Sequence, residues 1–222
     1  MSTGTPLHII DLGRRPYDEV YALQKRLVEE RAEDRIGDTL LLVEHDRVIT
    51  LGRKGDPTVD VLMPGIPVFE IERGGEATYH APGQLVGYPI LKLEEGPERD
   101  LHRLLRNIEE VQIRTLARWG VEAGRKEGYT GVWVGDKKIS SIGIAVRRWV
   151  TYHGLGLNVG TDMRGFASIR PCGLTADVMT SLEALVGHPV RMDEVKAELV
   201  KQFGEVFHRS VVPGRLPAEI GP

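Results

Sequence analysis

The only cysteine among the 222 residues, Cys172, stands in Arg170-Pro171-Cys172-Gly173-Leu174. A thiol attacks as its thiolate, and at an ordinary pKa of ~8.5 only a few per cent of it is ionised at pH 7. A nearby cation that lowers the pKa by about two units contributes roughly 2.7 kcal/mol to the ionised form. By type alone, a single cysteine is equally a small buried apolar residue. The rigid Pro and flexible Gly on either side favour a turn, where the sulfur meets a reactant rather than a core. A second stretch, Gly131-Val132-Trp133-Val134-Gly135-Asp136-Lys137-Lys138-Ile139-Ser140-Ser141-Ile142-Gly143, carries two adjacent lysines. If a strand begins at Lys138, its period of two puts Lys138 on one face with Ser140, Ile142, Ile144 and Val146. Small residues, Ser141, Gly143 and Ala145, fall on the other face and leave room for a slender ligand. Lys137 beside it is expected to be solvated, and by type both lysines also suit a solubilised hairpin edge.

Two more stretches have the composition of ligand loops. Arg73-Gly74-Gly75-Glu76-Ala77-Thr78-Tyr79-His80-Ala81-Pro82-Gly83-Gln84 mixes Gly and Pro with polar and aromatic side chains. Glycines let backbone N–H groups approach a bound group, while Thr78, Tyr79 and His80 offer adjustable hydrogen bonds. An ordinary turn with a surface histidine has the same composition. In Thr151-Tyr152-His153-Gly154-Leu155-Gly156-Leu157-Asn158 the glycine spacing does not fit a dinucleotide fingerprint, and no helix pattern follows. Either close passage of a ligand or a bulge accounts for Gly154 and Gly156. Cys172, His80 and His153 lack a close-spaced ligand pair, so no metal site is expected.

The elements that must position these residues alternate between short strands and a few helices. Residues 7–12 read as a strand, and Pro16, Asp18 and Glu19 open a helix carrying Tyr17, Val20, Tyr21, Leu27 and Val28 on one face. Further strands are expected at Thr39–Glu44, Val48–Leu51, Pro67–Glu72 and Gln84–Lys92, and two or three between Gly131 and Val159. Leu101, Leu104, Leu105, Ile108, Val111 and Leu116 mark a long amphipathic helix, and Val195, Leu199, Phe203 and Val206 a last one. A loose tail is expected from about residue 211. The pattern predicts a single-domain α/β fold over residues 1–222, with packed helices and a mixed or antiparallel sheet rather than doubly wound βαβ units.

Composition narrows the function classes. Lys plus Arg total 29 against 32 for Asp plus Glu, so no global positive field exists to hold nucleic acid or an anionic membrane. One cysteine forms no internal disulfide, and no apolar run is long enough to span a bilayer, which together predict a cytoplasmic protein.

Taken in order, Arg73–Gln84, Gly131–Gly143, His153–Asn158 and Pro171-Cys172-Gly173 resemble the lipoyl(octanoyl) transferase family. His45 in Leu42-Val43-Glu44-His45, followed by Val48-Ile49-Thr50-Leu51-Gly52, also fits, whereas Ala81 replaces an expected glycine. The resemblance implies a fold shared with biotin and lipoate ligases, and a catalytic pair with Cys172 as acyl-accepting nucleophile and Lys138 as its activator. It implies that Arg73, Gly74, Gly75, Glu76, Ala77, Thr78, Tyr79, His80, Ser141, Ile142, Gly143, Gly154, Leu155 and Gly156 line the acyl site, with His153 in support. It further implies an octanoyl donor on acyl carrier protein, acceptor lysines on lipoyl domains of 2-oxoacid dehydrogenases and the glycine cleavage carrier protein, and no cofactor. An ATP-dependent lipoate or biotin ligase would not need Cys172, and a non-catalytic module binding acyl carrier protein would form complexes without turnover.

Overall fold

The computed structural model describes residues 4–96, 99–170 and 175–216. Strand β1 (Pro6–Arg15) leads into helix α1 (Tyr17–Ala32), whose first turn carries Asp18 and Glu19 at the positive end of the helix dipole. Strands β2 (Asp38–His45) and β3 (Val48–Leu51), the short helix α2 (Pro57–Asp60), and strands β4 (Val68–Glu70), β5 (Ala77–His80) and β6 (Gln84–Ile90) follow. Helix α3 (Leu101–Ala117) is capped by the Asp100 carboxylate, which accepts from the N–H of Arg103. Strands β7 (Gly124–Lys126), β8 (Tyr129–Val134), β9 (Lys137–Arg147) and β10 (Val150–Asn158) come next. Helices α4 (Leu182–Val186) and α5 (Met192–Phe207) and strand β11 (Ser210–Pro213) complete the order.

Eight strands form one mixed sheet in the order β11-β1-β2-β6-β10-β9-β8-β7, parallel across β11-β1-β2 and antiparallel beyond. The period-two rule sorts its side chains into two cores. Leu40 and Leu42 of β2, Leu85 of β6, and Leu155 and Leu157 of β10 pack with α3 and α5 through Ile108, Val111, Leu199 and Phe203. The alternate residues Leu41, Val43, Val86, Tyr88, Ile90 and Tyr152 pack with Val20, Leu23, Leu27 and Val28 of α1. Helices therefore cover both faces, and the mixed sheet with packed helices is the one the sequence pattern predicts.

Two expectations change. Val211–Pro213 belong to β11, an edge strand parallel to β1, rather than to a loose tail; the β-branched pair Val211-Val212 outweighs the nearby prolines and glycine. Ala77–His80, expected as loop, is a strand in a second sheet ordered β4-β3-β5. There Thr78 pairs with Thr50 and His80 with Val48. The alternation again explains it, since Ala77 and Tyr79 enter a third core with Ile49, Leu51 and Phe166.

Candidate active site

A cavity of about 560 Å³ opens between the two sheets. It lies in the range of roughly 300–1,000 Å³ usual for small-molecule pockets. Each expected acyl-site residue from Arg73 to Thr78, together with His80, Ser141–Gly143 and Gly154–Gly156, lines it, as do Lys138 and His153. Tyr79 is the exception. Its ring is buried against Phe166 at 5.4 Å between centroids, on the opposite face of β5 from Thr78 and His80. Its role is to fix the strand rather than to touch a ligand. Ala81 is buried in the same third core, so its methyl group is accommodated. Cys172, with Pro171, Gly173 and Leu174, lies outside the described residues.

The chain on both sides of that segment is anchored. Arg170 donates its N–H to the Asp60 carbonyl at 2.9 Å. After it, Met179 bridges to Lys138, and Thr180 N–H donates to the Lys138 carbonyl at 3.0 Å.

Lys138 reaches the cavity by a device that simple alternation misses. The pairs Trp133–Lys138 and Val132–Ser140 leave one extra residue, Ile139, on β9. A bulge of this kind puts two consecutive side chains on one face. Ile139 packs in the core beneath α3, and Ser140 donates to the Gln112 side chain of α3. Lys138 therefore lies on the face of Ser141, Gly143 and Ala145, not on that of Ser140, Ile142, Ile144 and Val146. Its stem passes over Gly131, where a Cβ would stand 2.8 Å from Lys138 Cε and 2.4 Å from the Ser140 carbonyl oxygen. Gly131 also has φ +127°, so glycine is required there twice over. Its N–H donates to Glu109 of α3 at 3.1 Å, and Arg106 and Arg125 hold the same carboxylate. Lys138 is only 3% exposed, whereas Lys137 points out and donates to the Asp177 carbonyl at 2.6 Å.

Arg73 is the second buried cation of the wall. Its guanidinium donates to the Thr50 carbonyl at 2.7 Å and to the Gly74 carbonyl at 3.0 Å. Gly143 is needed beside it, because a Cβ there would meet Arg73 Cδ at 2.8 Å.

Histidines and tyrosines close one side. Burial, assisted by the neighbouring His45, pushes the His80 pKa down to about 3, and burial pushes those of His45 and His153 to about 4. All three are neutral at pH 7. His45 spans the Arg15 carbonyl and the Tyr88 hydroxyl, each at 2.8 Å. His153, at φ 57°, stacks on Tyr21 with its Nε2 3.5 Å from Glu72, and Tyr21 donates its hydroxyl to Glu72 at 2.6 Å. Tyr17 stacks beside His80.

The residues from 16 to 204 match the family described as the lipoyl protein ligase A/B catalytic domain. The chain is 52% identical over 197 residues to the octanoyltransferase of Syntrophotalea carbinolica, covering 89% of this chain and 92% of that one. It is 45% identical over 214 residues to the octanoyltransferase of Caldicellulosiruptor bescii, covering 92% and 93%. It belongs to the lipoyl(octanoyl) transferase family. The enzyme is thus an acyltransferase, as its sequence motifs imply. In fold, this transferase is similar to lipoate-protein ligase A bound with ATP, with a TM-score of 0.76 at 18% identity over 98% of this chain and 91% of that one. A biotin protein ligase from Aquifex aeolicus aligns with a TM-score of 0.52 at 14% identity, covering 93% and 70%.

Sequence reasoning passed over several side chains of the transferase cavity. Tyr17 was visible only as an apolar position of α1, and Glu72 only as the end of a strand. Gln84 and Asn158, buried behind the residues that line the cavity, carried a usable signal. Each is a polar amide at the end of an apolar β run, where such residues are depleted unless a specific hydrogen bond requires them.

Proposed function

We propose that this transferase moves an octanoyl group from an acyl carrier protein thioester to a lysine of a lipoyl carrier domain by way of a thioester on Cys172. The observation that carries the reading is the bulge at Ile139, which turns a buried lysine out of the helix-facing core and into the cavity wall. A buried ammonium there stabilises a thiolate and favours its attack.

In the first step Cys172 Sγ bonds to the donor carbonyl carbon, the carbon–sulfur bond to the carrier breaks, and the carrier thiolate takes a proton. In the second, the acceptor amine bonds to the same carbon, Sγ leaves as a thiolate beside the Lys138 ammonium, and the amine gives up a proton to water. The first step exchanges one thioester for another, and the second runs downhill to an amide, so no ATP is consumed. Burying the seven carbons beyond the carbonyl contributes about 6 kcal/mol at ~0.8 kcal/mol each. Ile71 and Ala145 are among the apolar residues that line the cavity. Lipoyl domains of 2-oxoacid dehydrogenases and the glycine cleavage carrier protein are the proposed acceptors, in a reducing cytoplasm. No described helix is long and apolar enough to cross a membrane.

Intact-mass analysis after mixing with octanoyl carrier protein tests the reading. The expected result is one octanoyl adduct, lost in Cys172→Ala and passed on to an added lipoyl domain. An adduct formed only from free acid and ATP would instead identify a ligase, and complex formation without any adduct a binding module.

A further inference from the structure

A chain of three hydrogen bonds runs from the Thr180 carbonyl, beside Lys138, to the imidazole of His80, and its polarity is fixed by two backbone carbonyls. The Thr180 carbonyl can only accept, so Asn158 Nδ2 donates to it at 3.0 Å and Asn158 Oδ1 must be the accepting end of that amide. Gln84 Nε2 then donates to Asn158 Oδ1 at 2.8 Å, and to the Tyr79 carbonyl at 3.2 Å, which also only accepts. This leaves Gln84 Oε1 as an acceptor facing His80 Nδ1 at 2.6 Å. Neither amide can be turned over without setting oxygen against oxygen, so His80 carries its proton on Nδ1. Gln84 and Asn158 are 2% and 0% exposed, so water does not compete. Gly156 gives the Gln84 amide its room, since a Cβ there would stand 3.0 Å from Oε1.

We infer that Gln84 and Asn158 are positioning residues that lock His80 as its Nδ1–H tautomer, so that Nε2 accepts an N–H from the acceptor lysine's amine in the acyl cavity. This rests on the proposed octanoyl transfer. The amine must arrive neutral, because an ammonium has no lone pair with which to attack. Arg73 and Lys138 supply only donors to an arriving N–H. A carboxylate would accept it but would hold the amine in its charged form. A neutral imidazole acceptor orients the amine without that penalty, and burial keeps His80 neutral.

Long-range proton–nitrogen NMR on the labelled, full-length enzyme reads the tautomer directly. Nδ1 of His80 is expected to be protonated and Nε2 bare from pH 6 to 8; a protonated Nε2 overturns the lock. Gln84→Met, which breaks the link to His80, is then compared with wild type in two single-turnover reactions. Loading of Cys172 from octanoyl carrier protein is expected to stay within about twofold, while transfer to the lipoyl domain falls roughly tenfold or more. Asn158→Leu acts one bond further back, and is expected to change the two rates in the same sense by less. Equal slowing of loading and transfer in these variants, or no slowing of either, overturns the assigned role. If wild type forms no acyl adduct, the thioester pathway and the amine's role fail together, and the spectrum still judges the tautomer.

Discussion

Gly131→Ala separates the clearing of space for Lys138 from ordinary backbone effects. The new methyl group would stand 2.8 Å from Lys138 Cε and 2.4 Å from the Ser140 carbonyl oxygen. Carbon atoms in contact normally sit about 3.5–4.0 Å apart, so the lysine stem must retreat by roughly 0.7–1.2 Å. The Ser140 oxygen belongs to the paired strand and cannot swing aside. An alanine held at φ +127° adds about 1–3 kcal/mol of strain, and overpacking a further 1–3 kcal/mol. Taking about 3 kcal/mol for the sum, the melting temperature falls by roughly 6–12 °C in a chain of this length. With Lys138 in the role proposed above, a displacement near 1 Å is expected to lower the transfer rate by about a hundredfold. Gly135→Ala, in the turn of the same hairpin, is the control. It also has positive φ, 56°, but nothing lies within 4 Å of its Cβ. It is expected to cost about 1–2 kcal/mol and leave transfer unchanged. Thermal melts and single-turnover transfer measure both. Equal melting temperatures and equal rates for the two variants would refute the argument.

Stability depends on pH through three histidines. His80, His45 and His153 have folded pKa values of about 3, 4 and 4 against 6.5 when unfolded. The unfolded chain therefore binds more protons below about pH 6.5, and stability, complete above that pH, is lost as the pH falls toward 4. The slope approaches about 4 kcal/mol per pH unit where all three contribute; denaturant titrations at pH 8, 6 and 5 should show it, and His45→Gln should flatten it by about a third. Gly143→Ala should drive Arg73 out of line at an ordinary φ, so octanoyl transfer measured under single turnover falls tenfold to a hundredfold with a Tm loss of only a few degrees. Glu109→Gln leaves Arg106, Arg125 and the Gly131 N–H facing a neutral amide, and chemical denaturation is expected to show a loss of about 2 kcal/mol, limited because both arginines are partly exposed.

What could be read from the sequence follows periodicity. Strands β2, β6 and β10 alternate cleanly between two cores, and α3 repeats at helical spacing, so their existence, and with it a mixed sheet between helices, was legible. The stretches bearing Arg73, His80, Lys138 and His153 were legible as chemical composition, and the cavity brings those four together. Where local punctuation and pairing disagreed, pairing won. The segment Ala77–His80 sits among glycines and a proline yet finds β3 as a partner, and its buried alternation turns Tyr79 away from the ligand side. The tail's Val211 and Val212 find the open edge of β1. The amide relay was illegible because its members stand 74 positions apart, at Gln84 and Asn158, and only the β6–β10 pairing joins them. The face taken by Lys138 was illegible for another reason: period two holds only while the ladder stays in register.

That break in register has a consequence for how such a site can change. Along β9 the residue Ile139 acts as a phase shift of half a period, separating the parity of Lys138 from that of Ser140, Ile142 and Ile144. Substitution cannot move the ammonium across the sheet, because replacing Ile139 with any other side chain keeps the count of residues. Giving Ile139 a partner does: with one extra residue on β8 between Val132 and Trp133, β9 would run in a single phase, and Lys138 would share the face of Ser140 beneath α3. In a strand of this kind the presence of the functional group is encoded by residue type, and its delivery by residue number.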